Sequence, residues 1–133
     1  MSAAEGLIGE DIVKRKLWQR GYSVKDVSQY SHFDLLLDNK FRVEVKTIFD
    51  WGKSKRKYIR LRKEEFDILA VVSVEPTSEN IFFASQKDLE PLKVKSIAGL
   101  NSETSLDISF RTEDLKKHFS KNIKKVVIGM GIH

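Results

Sequence analysis

The sequence of 133 residues contains no cysteine and only two prolines. The lack of cysteine excludes a disulfide framework, a thiolate zinc site and a thiol nucleophile, and it fits a reducing compartment, so we expect a cytoplasmic protein. No apolar run approaches the length of about 18 residues that a membrane-spanning helix needs. The acidic stretch MSAAEGLIGED at the N-terminus lacks the basic and then apolar layout of a signal peptide.

The composition is that of a globular protein, with 41% hydrophobic and 10% aromatic residues. The length predicts one domain over 1–133, with a core at about 5–92 and a tail at 93–133 whose role the sequence leaves open. The formal net charge of +5 favours a polyanionic partner, of which nucleic acid is the commonest.

Apolar periodicity predicts a leading helix over 3–20, ended by Gly21, and then a series of strands. The predicted strands lie at 22–28, 32–38, 41–47, 66–74, 80–85 and 105–110. The strand at 66–74 has a continuous apolar centre and is expected to be buried on both faces. A short helix is expected near 112–122 with Thr112 as its N-cap, whereas the spacing in 49–65 suits neither a helix nor a strand. This order predicts an α/β or α+β sandwich.

The strands at 32–38 and 41–47 each combine an apolar face with a polar face. A loop over 38–40 aligns Leu37 with Phe41 and Asp34 with Glu44, and it keeps the large apolar residues of both strands on one side. A loop one residue shorter would put Asp34 on the wrong side, so the hydrophobic pattern selects the longer loop.

This register places two carboxylates about 5 Å apart on one face of the sheet. Like charges at that separation repel each other, and a divalent cation removes the conflict. Mg²⁺ suits the pair because it needs only one or two carboxylates and retains several waters. Lys46 lies on the same face, two residues beyond Glu44, where it is placed to balance charge, orient a water or stabilise negative charge on a phosphate.

The helix supplies a third candidate acid, Glu10. It shares a helix face with Val13 and Leu17, which predicts that it points toward the protein, and Gly6 and Gly9 are expected to let the helix approach another backbone closely. The alternative is a surface ion pair between Glu10 and Lys14 at i, i+4.

A basic segment, KSKRKYIRLRK at 53–63, contains seven Lys or Arg residues and no acid. It is interpreted either as a solvated loop or as a surface that tracks phosphates, where each cation releases a counterion. The candidate nucleic-acid contacts are Lys53, Lys55, Arg56, Lys57, Arg60, Arg62 and Lys63. Trp51 precedes them, and either stacking on a base or a place in the core is open to it.

The spacing Asp34, then Glu44-Val45-Lys46, after a helix with an inward glutamate, resembles the PD-(D/E)XK nuclease superfamily. The resemblance runs from about Glu5 to about Leu89, and Phe33 stands where the family has its proline. Within the superfamily the sequence is most similar to small intron-associated homing and restriction-type endonucleases, and next to archaeal Holliday-junction resolvases.

The resemblance implies a restriction-endonuclease-like fold, in which a mixed β-sheet is flanked by helices and an antiparallel catalytic hairpin follows the first helix. It also implies Mg²⁺-dependent hydrolysis of DNA phosphodiester bonds, with Mn²⁺ expected to substitute. Asp34, Glu44 and the Val45 carbonyl would then bind the metal, Lys46 would position or activate the attacking water, and Glu10 would be an outer or second-metal ligand. A homodimer or higher assembly is expected, since cutting both strands takes two sites.

Other interpretations stay open. A nucleic-acid-binding module of the same fold would use the basic segment and not need the acids, and a structural protein would use Glu44 and Lys46 only in ion pairs. His32 is either a phosphate contact or a polar edge residue, and Asp38 is either a ligand or ordinary turn chemistry.

Overall fold

The structure is a computed structural model that describes residues 3–29, 31–49, 56–94 and 105–131, with the side chains of the first helix described from Ile8 onward. The helices are α1 (Ala3–Gln19), α2 (Gln86–Leu89), α3 (Thr112–His118) and α4 (Ile123–Gly129). The strands are β1 (Val24–Asp26), β2 (Leu35–Leu37), β3 (Phe41–Phe49), β4 (Lys57–Arg62), β5 (Ile68–Val74), β6 (Glu79–Ser85) and β7 (Ser105–Phe110), with short 3-10 turns at Lys63–Glu65 and Glu90–Leu92. None of the helices in these ranges is both long and apolar enough to span a membrane.

The strands form a five-stranded mixed sheet in the order β1-β2-β3-β5-β6 and a separate two-stranded ribbon of β4 and β7. Within the larger sheet β3 and β5 run parallel, and the other neighbours are antiparallel. The mixed α/β architecture and the antiparallel hairpin after the first helix are therefore confirmed.

The hairpin between β2 and β3 has the register that the hydrophobic pattern predicts, with Leu37 opposite Phe41. Asp38 and Asn39 adopt left-handed conformations with φ of 52° and 55°, which Asp and Asn tolerate better than most residues. The Lys40 N–H closes the turn by donating to the Leu37 carbonyl at 3.0 Å. This turn sets which side chains of β3 face the core.

Apolar side chains cover both faces of the five-stranded sheet. On one face α1 and α4 pack through residues such as Val13 and Val126. On the other face the β4–β7 ribbon and α3 pack through residues such as Phe110 and Leu115. Strand β5 is buried on both faces except at its last residue, as its continuous apolar centre predicts.

Helix α1 lies close against β3 at Gly9. A Cβ atom at that position would lie 1.7 Å from Thr47 Oγ1, so only glycine fits here without movement. The close approach predicted for Gly9 is confirmed. The surroundings of Gly6 lie outside what the structure describes. The helix ends at Gln19, and Gly21, whose φ is 89°, follows just past its end as a terminating glycine does.

The region 49–65 and the tail differ from the sequence-based expectation. The apolar spacing in 49–65 fitted neither a helix nor a strand. In the structure β3 continues to Phe49, and β4 covers Lys57–Arg62. The predicted single helix near 112–122 is wrong in extent. Helix α3 ends at His118, and Ser120 then exchanges two backbone hydrogen bonds with Phe83, at 2.7 and 2.8 Å.

The predicted N-cap of α3 is also wrong. Thr112 is the first helical residue, and the capping position belongs to Arg111, whose backbone N–H donates to Asp114 Oδ2 at 2.8 Å. The last helix, α4, was not predicted. Its N-cap is Asn122, whose side chain accepts a hydrogen bond from the Lys124 N–H at 3.0 Å.

Candidate active site

Asp34 lies immediately before β2, at the point where the regular backbone pairing of β2 with β3 ends. Its N–H donates to the Val43 carbonyl at 3.1 Å, and its own carbonyl accepts from the Val27 N–H at 3.0 Å. Its carboxylate then accepts a hydrogen bond from the Val45 N–H at 2.8 Å. Asp34 therefore contacts β3 on both sides of Glu44, with its backbone at residue 43 and its side chain at residue 45.

Glu44 lies half-buried on β3, and its neighbours Val43 and Val45 point into the core. Burial, together with a hydrogen bond and repulsion from Asp34, raises the pKa of Glu44 to about 8. The pair of carboxylates that the register predicts on this face is thus present, and one member is driven toward protonation as expected for like charges in close contact.

Glu10 reaches the same aspartate from α1. Its side chain is only 8% exposed, which makes the inward orientation correct and the surface pair with Lys14 wrong. Burial, then a hydrogen bond and repulsion from Asp34, raises the pKa of Glu10 to about 8. Burial alone would also raise the pKa of Asp34, but hydrogen bonds from Glu44, Glu10 and the Val45 N–H outweigh it, and the net shift is downward.

Two buried oxygens beside this cluster have no hydrogen-bond partner among the described residues. They are Glu10 Oε2 and Thr47 Oγ1. A buried polar atom left unsatisfied costs about 1–3 kcal/mol, and such sites in native proteins call for a structural or functional reason. For the Glu10 oxygen, a bound cation or a water that a cation holds would supply that reason.

The donor set fits a hard cation with few protein ligands. Across the described ranges no three or more His, Asp or Glu side chains are arranged as a ready-made cage. Mg²⁺ does not need one, because it is commonly held by one or two carboxylates and keeps several waters. Asp34 and Glu44 meet that requirement, and Glu10 stands beside them.

Lys46 shares the half-buried face of β3 with Glu44. It also lines a groove of about 380 Å³ between β3 and β4, together with Phe49, Lys57 and Arg60 among others. The predicted catalytic lysine is therefore placed between the carboxylates and the basic strand.

The described part of the basic segment is strand β4 with its two flanking residues. Arg56, Arg60 and Arg62 are exposed, whereas Lys57 and Lys63 are half-buried. Arg60 Nε forms an ion pair with Asp107 Oδ1 at 3.1 Å, so one of these cations already has an anionic partner. The other predicted contacts, Trp51, Lys53 and Lys55, lie outside the described residues.

Two further candidates, His32 and Asp38, have contacts that are typical of structural residues. The His32 side chain is 84% exposed and lies 3.8 Å from Glu65, as a polar edge residue would. Asp38 Oδ1 accepts a hydrogen bond from the Ser23 N–H at 3.0 Å and lies in the hairpin turn. These contacts favour the turn interpretation of Asp38.

Sequence reasoning missed two residues near the site. Arg42 makes a bidentate ion pair with Asp67, through Nε and Nη2 each at 3.1 Å, and this pair ties the start of β3 to the start of β5. Tyr58 is the most exposed of the large apolar side chains on the described surface, at 72%. The only feature of the sequence that pointed to Tyr58 was the position of an aromatic residue between arginines.

The fold is shared with two solved nucleases. The bacterial homing endonuclease I-Ssp6803I matches with a TM-score of 0.61 at 12% identity, over 98% of this chain and 96% of that one. The Holliday junction resolvase Hjc of the archaeal hyperthermophile Archaeoglobus fulgidus matches with a TM-score of 0.55 at 12% identity, over 92% of this chain and 95% of that one. No protein-family model and no curated protein sequence matches the chain. The likeness confirms the predicted fold and extends it over the tail.

Proposed function

On this restriction-endonuclease-like fold, we propose that the protein is a Mg²⁺-dependent endonuclease that hydrolyses phosphodiester bonds of DNA. The observation that carries the proposal is the contact of Asp34 with both Glu44 and Glu10, two residues along β3 from Lys46, which lines a groove together with Lys57 and Arg60. A structural core has no need of three acids in contact, two of which have pKa values raised by burial, by a hydrogen bond with Asp34 and by its charge.

Asp34 and Glu44 would hold the cation, with the Val45 carbonyl as a further oxygen ligand and Glu10 as an outer or second-metal ligand. When bound, Mg²⁺ would lower the pKa of its water and would hold and polarise the phosphate. Mn²⁺ is expected to replace it. The Val45 N–H orients the Asp34 carboxylate, because it donates to Oδ2 at 2.8 Å. Lys46 positions the attacking water or stabilises the charge on the phosphate.

The substrate is proposed to be DNA, bound along the basic residues Arg56, Lys57, Arg60, Arg62 and Lys63, with Trp51, Lys53 and Lys55 as further contacts. A site-specific role like that of homing or restriction enzymes is the first candidate, since the chain matches a homing endonuclease over 98% of its length. Junction resolution is the second candidate, supported by the match to a resolvase.

We further propose that two copies act together on a duplex, because the described part of each chain contains one such acidic cluster and a double-strand cut takes two. Sedimentation of the protein with bound duplex tests this. Two chains per duplex are expected, and one chain per duplex at saturating protein would contradict it.

A nucleic-acid-binding module without catalysis is the alternative from a different class. It would rely on the exposed arginines of β4 and would bind DNA in a salt-dependent way. The buried glutamates argue against it, since a binder gains nothing from acids held near a phosphate.

The deciding experiment is cleavage of supercoiled plasmid and of a synthetic four-way junction, with Mg²⁺, with EDTA and with a Glu44→Ala variant. Cutting that requires Mg²⁺ and is lost in the variant supports the nuclease, and the preferred substrate separates the two roles. Where neither DNA is cut, a randomised-target library is incubated with the protein and sequenced. A library without any cut sequence, together with salt-sensitive binding that survives Glu44→Ala, would favour the binding module.

A further inference from the structure

Tyr58 lies on the outer face of the β4–β7 ribbon. Strand alternation puts Ile59 and Leu61 toward the core and leaves Tyr58, Arg60 and Arg62 facing outward. The tyrosine is 72% exposed although it lies within a regular strand, as the second residue of β4. An aromatic ring of this size usually packs against a cross-strand neighbour, so its exposure needs a reason.

The neighbours of Tyr58 on the outer face are small or already engaged. Its cross-strand partner is Ser109, which has no side chain large enough to cover the ring. The Ser109 Oγ accepts a hydrogen bond from Arg56 Nη1 at 2.8 Å. The next pair on the same face is Arg60 with Asp107, which bind each other at 3.1 Å. Tyr58 thus lies two residues from Arg56 and two residues from Arg60 along the chain, and its side chain is left largely exposed to solvent.

Tyr58 also lines the groove of about 380 Å³ that has Lys46 as one of its lining residues. Among the described residues, the charged ones that line this groove are Lys46, Lys57 and Arg60, and all three are basic. Cations flanking an aromatic face form the arrangement with which proteins bind single-stranded nucleic acid, where phosphates meet the cations and a base stacks on the ring.

We propose that Tyr58 stacks on an unpaired nucleobase of a DNA strand that lies in this groove, while Lys57 and Arg60 contact the adjoining phosphates. The inference deepens the proposed function and rests on it. In an intact duplex the faces of the bases are covered by their neighbours, so the ring gains a partner only where a base is unpaired or turned out. The protein should therefore prefer bulged, branched or overhanging DNA to a perfect duplex.

The test measures binding of the unmodified protein in EDTA, which prevents cleavage, by fluorescence anisotropy. The probes are a duplex and the same duplex with a short single-stranded bulge that contains 2-aminopurine. Tyr58→Ala is expected to weaken binding to the bulged DNA by at least about 5-fold, the lower end for loss of one base–aromatic stack. Its affinity for the perfect duplex should change by less than about 2-fold, because phosphate contacts dominate there.

Tyr58→Phe is the variant that separates stacking from hydrogen bonding. It keeps the ring and loses the hydroxyl, so it should retain both the preference for bulged DNA and the quenching of 2-aminopurine. Ile128→Ala is the matched control, since Ile128 is another large apolar side chain, 60% exposed, on α4. It should bind both DNAs as the unmodified protein does.

Equal weakening of both DNAs by Tyr58→Ala, or no weakening of either, would overturn the proposal, and so would a loss with Tyr58→Phe as large as with Tyr58→Ala. A failure of the proposed function looks different. In that case Mg²⁺ produces no cleavage of any DNA, while the Tyr58-dependent preference for the bulge is still measured in EDTA.

Discussion

The carboxylate of Asp34 accepts a hydrogen bond from the backbone N–H of Val45 at 2.8 Å, one residue beyond Glu44 on β3. The Asp34 carboxylate thus accepts the hydrogen bond that a backbone carbonyl of a neighbouring strand would otherwise accept. The same contact holds the carboxylate beside Glu44, so one hydrogen bond serves both the fold and the proposed site.

Asp34→Asn should separate these two roles. The amide oxygen of asparagine can still accept from the Val45 N–H, so the variant should stay folded with a melting temperature close to that of the unmodified protein. The negative charge is lost, and we expect cleavage to fall by about 100-fold or more, the size typical of an electrostatic group at a reacting centre. Plasmid cleavage and thermal melting check this. Retention of full activity by the folded variant would exclude Asp34 as a metal ligand.

The stability of the protein without a divalent cation should depend on pH in an unusual direction. Burial and Asp34 raise the pKa of Glu10 and of Glu44 from 4.5 to about 8. The folded state then binds more protons than the unfolded chain between these values, so these groups make stability fall as pH rises from about 4.5 to about 8. The lowered pKa of Asp34 acts oppositely, since its contribution is present above the ordinary value of 3.8 and is lost as pH falls.

Thermal melting in EDTA at about pH 5.5 and about pH 8.5 measures this slope, which a Glu44→Gln variant should flatten. Added Mg²⁺ should raise the melting temperature more at the higher pH, where the glutamates are ionised. A melting temperature in EDTA that rises across this range, or a Mg²⁺ effect that is larger at low pH, would contradict the expectation.

Hydrophobic pattern was sufficient to predict much of the site. The alternation of apolar residues fixed the register of the hairpin and so brought Asp34 and Glu44 together. Helical spacing with Val13 and Leu17 likewise oriented Glu10, which is 8% exposed. These features follow from local periodicity, which one sequence displays directly.

Features that depend on tertiary context could not be predicted in this way. The register does not reveal that Asp34 leaves the regular ladder and bonds to residues on both sides of Glu44, since that depends on the path of the chain from β1. The end of α3 at His118 depends on the pairing of Ser120 with Phe83 on β6, a residue distant in sequence. The role of β4 as the partner of β7 is equally non-local.

Lys46→Ala should separate catalysis from metal binding. Lys46 shares a face with Glu44 but is not one of the proposed ligands, so the variant should keep any rise in melting temperature that Mg²⁺ produces. Cleavage should fall by about 100-fold or more, because the group proposed to position the water or stabilise the phosphate is lost. Lys46→Arg keeps the charge but not the shape, and we expect only partial activity from it. Full cleavage by the alanine variant would remove Lys46 from the mechanism.

Gly9→Ala should disturb the fold where α1 meets β3. The added Cβ would lie 1.7 Å from Thr47 Oγ1 and 3.0 Å from Thr47 Cβ, so the helix or the strand must shift. Overpacking of this kind costs about 1–3 kcal/mol. The shift should also move the adjacent Glu10 and weaken the stabilisation by Mg²⁺.

The matched control is Gly129→Ala on α4, where a new Cβ would meet nothing within 4 Å and helix propensity favours alanine. Urea unfolding should show a loss of stability for Gly9→Ala and none for Gly129→Ala. Thr47→Ala removes the oxygen that the new Cβ meets, so the double variant should recover part of the stability that Gly9→Ala loses. Strictly additive effects of the two changes would mean that the steric contact between α1 and β3 is not the cause.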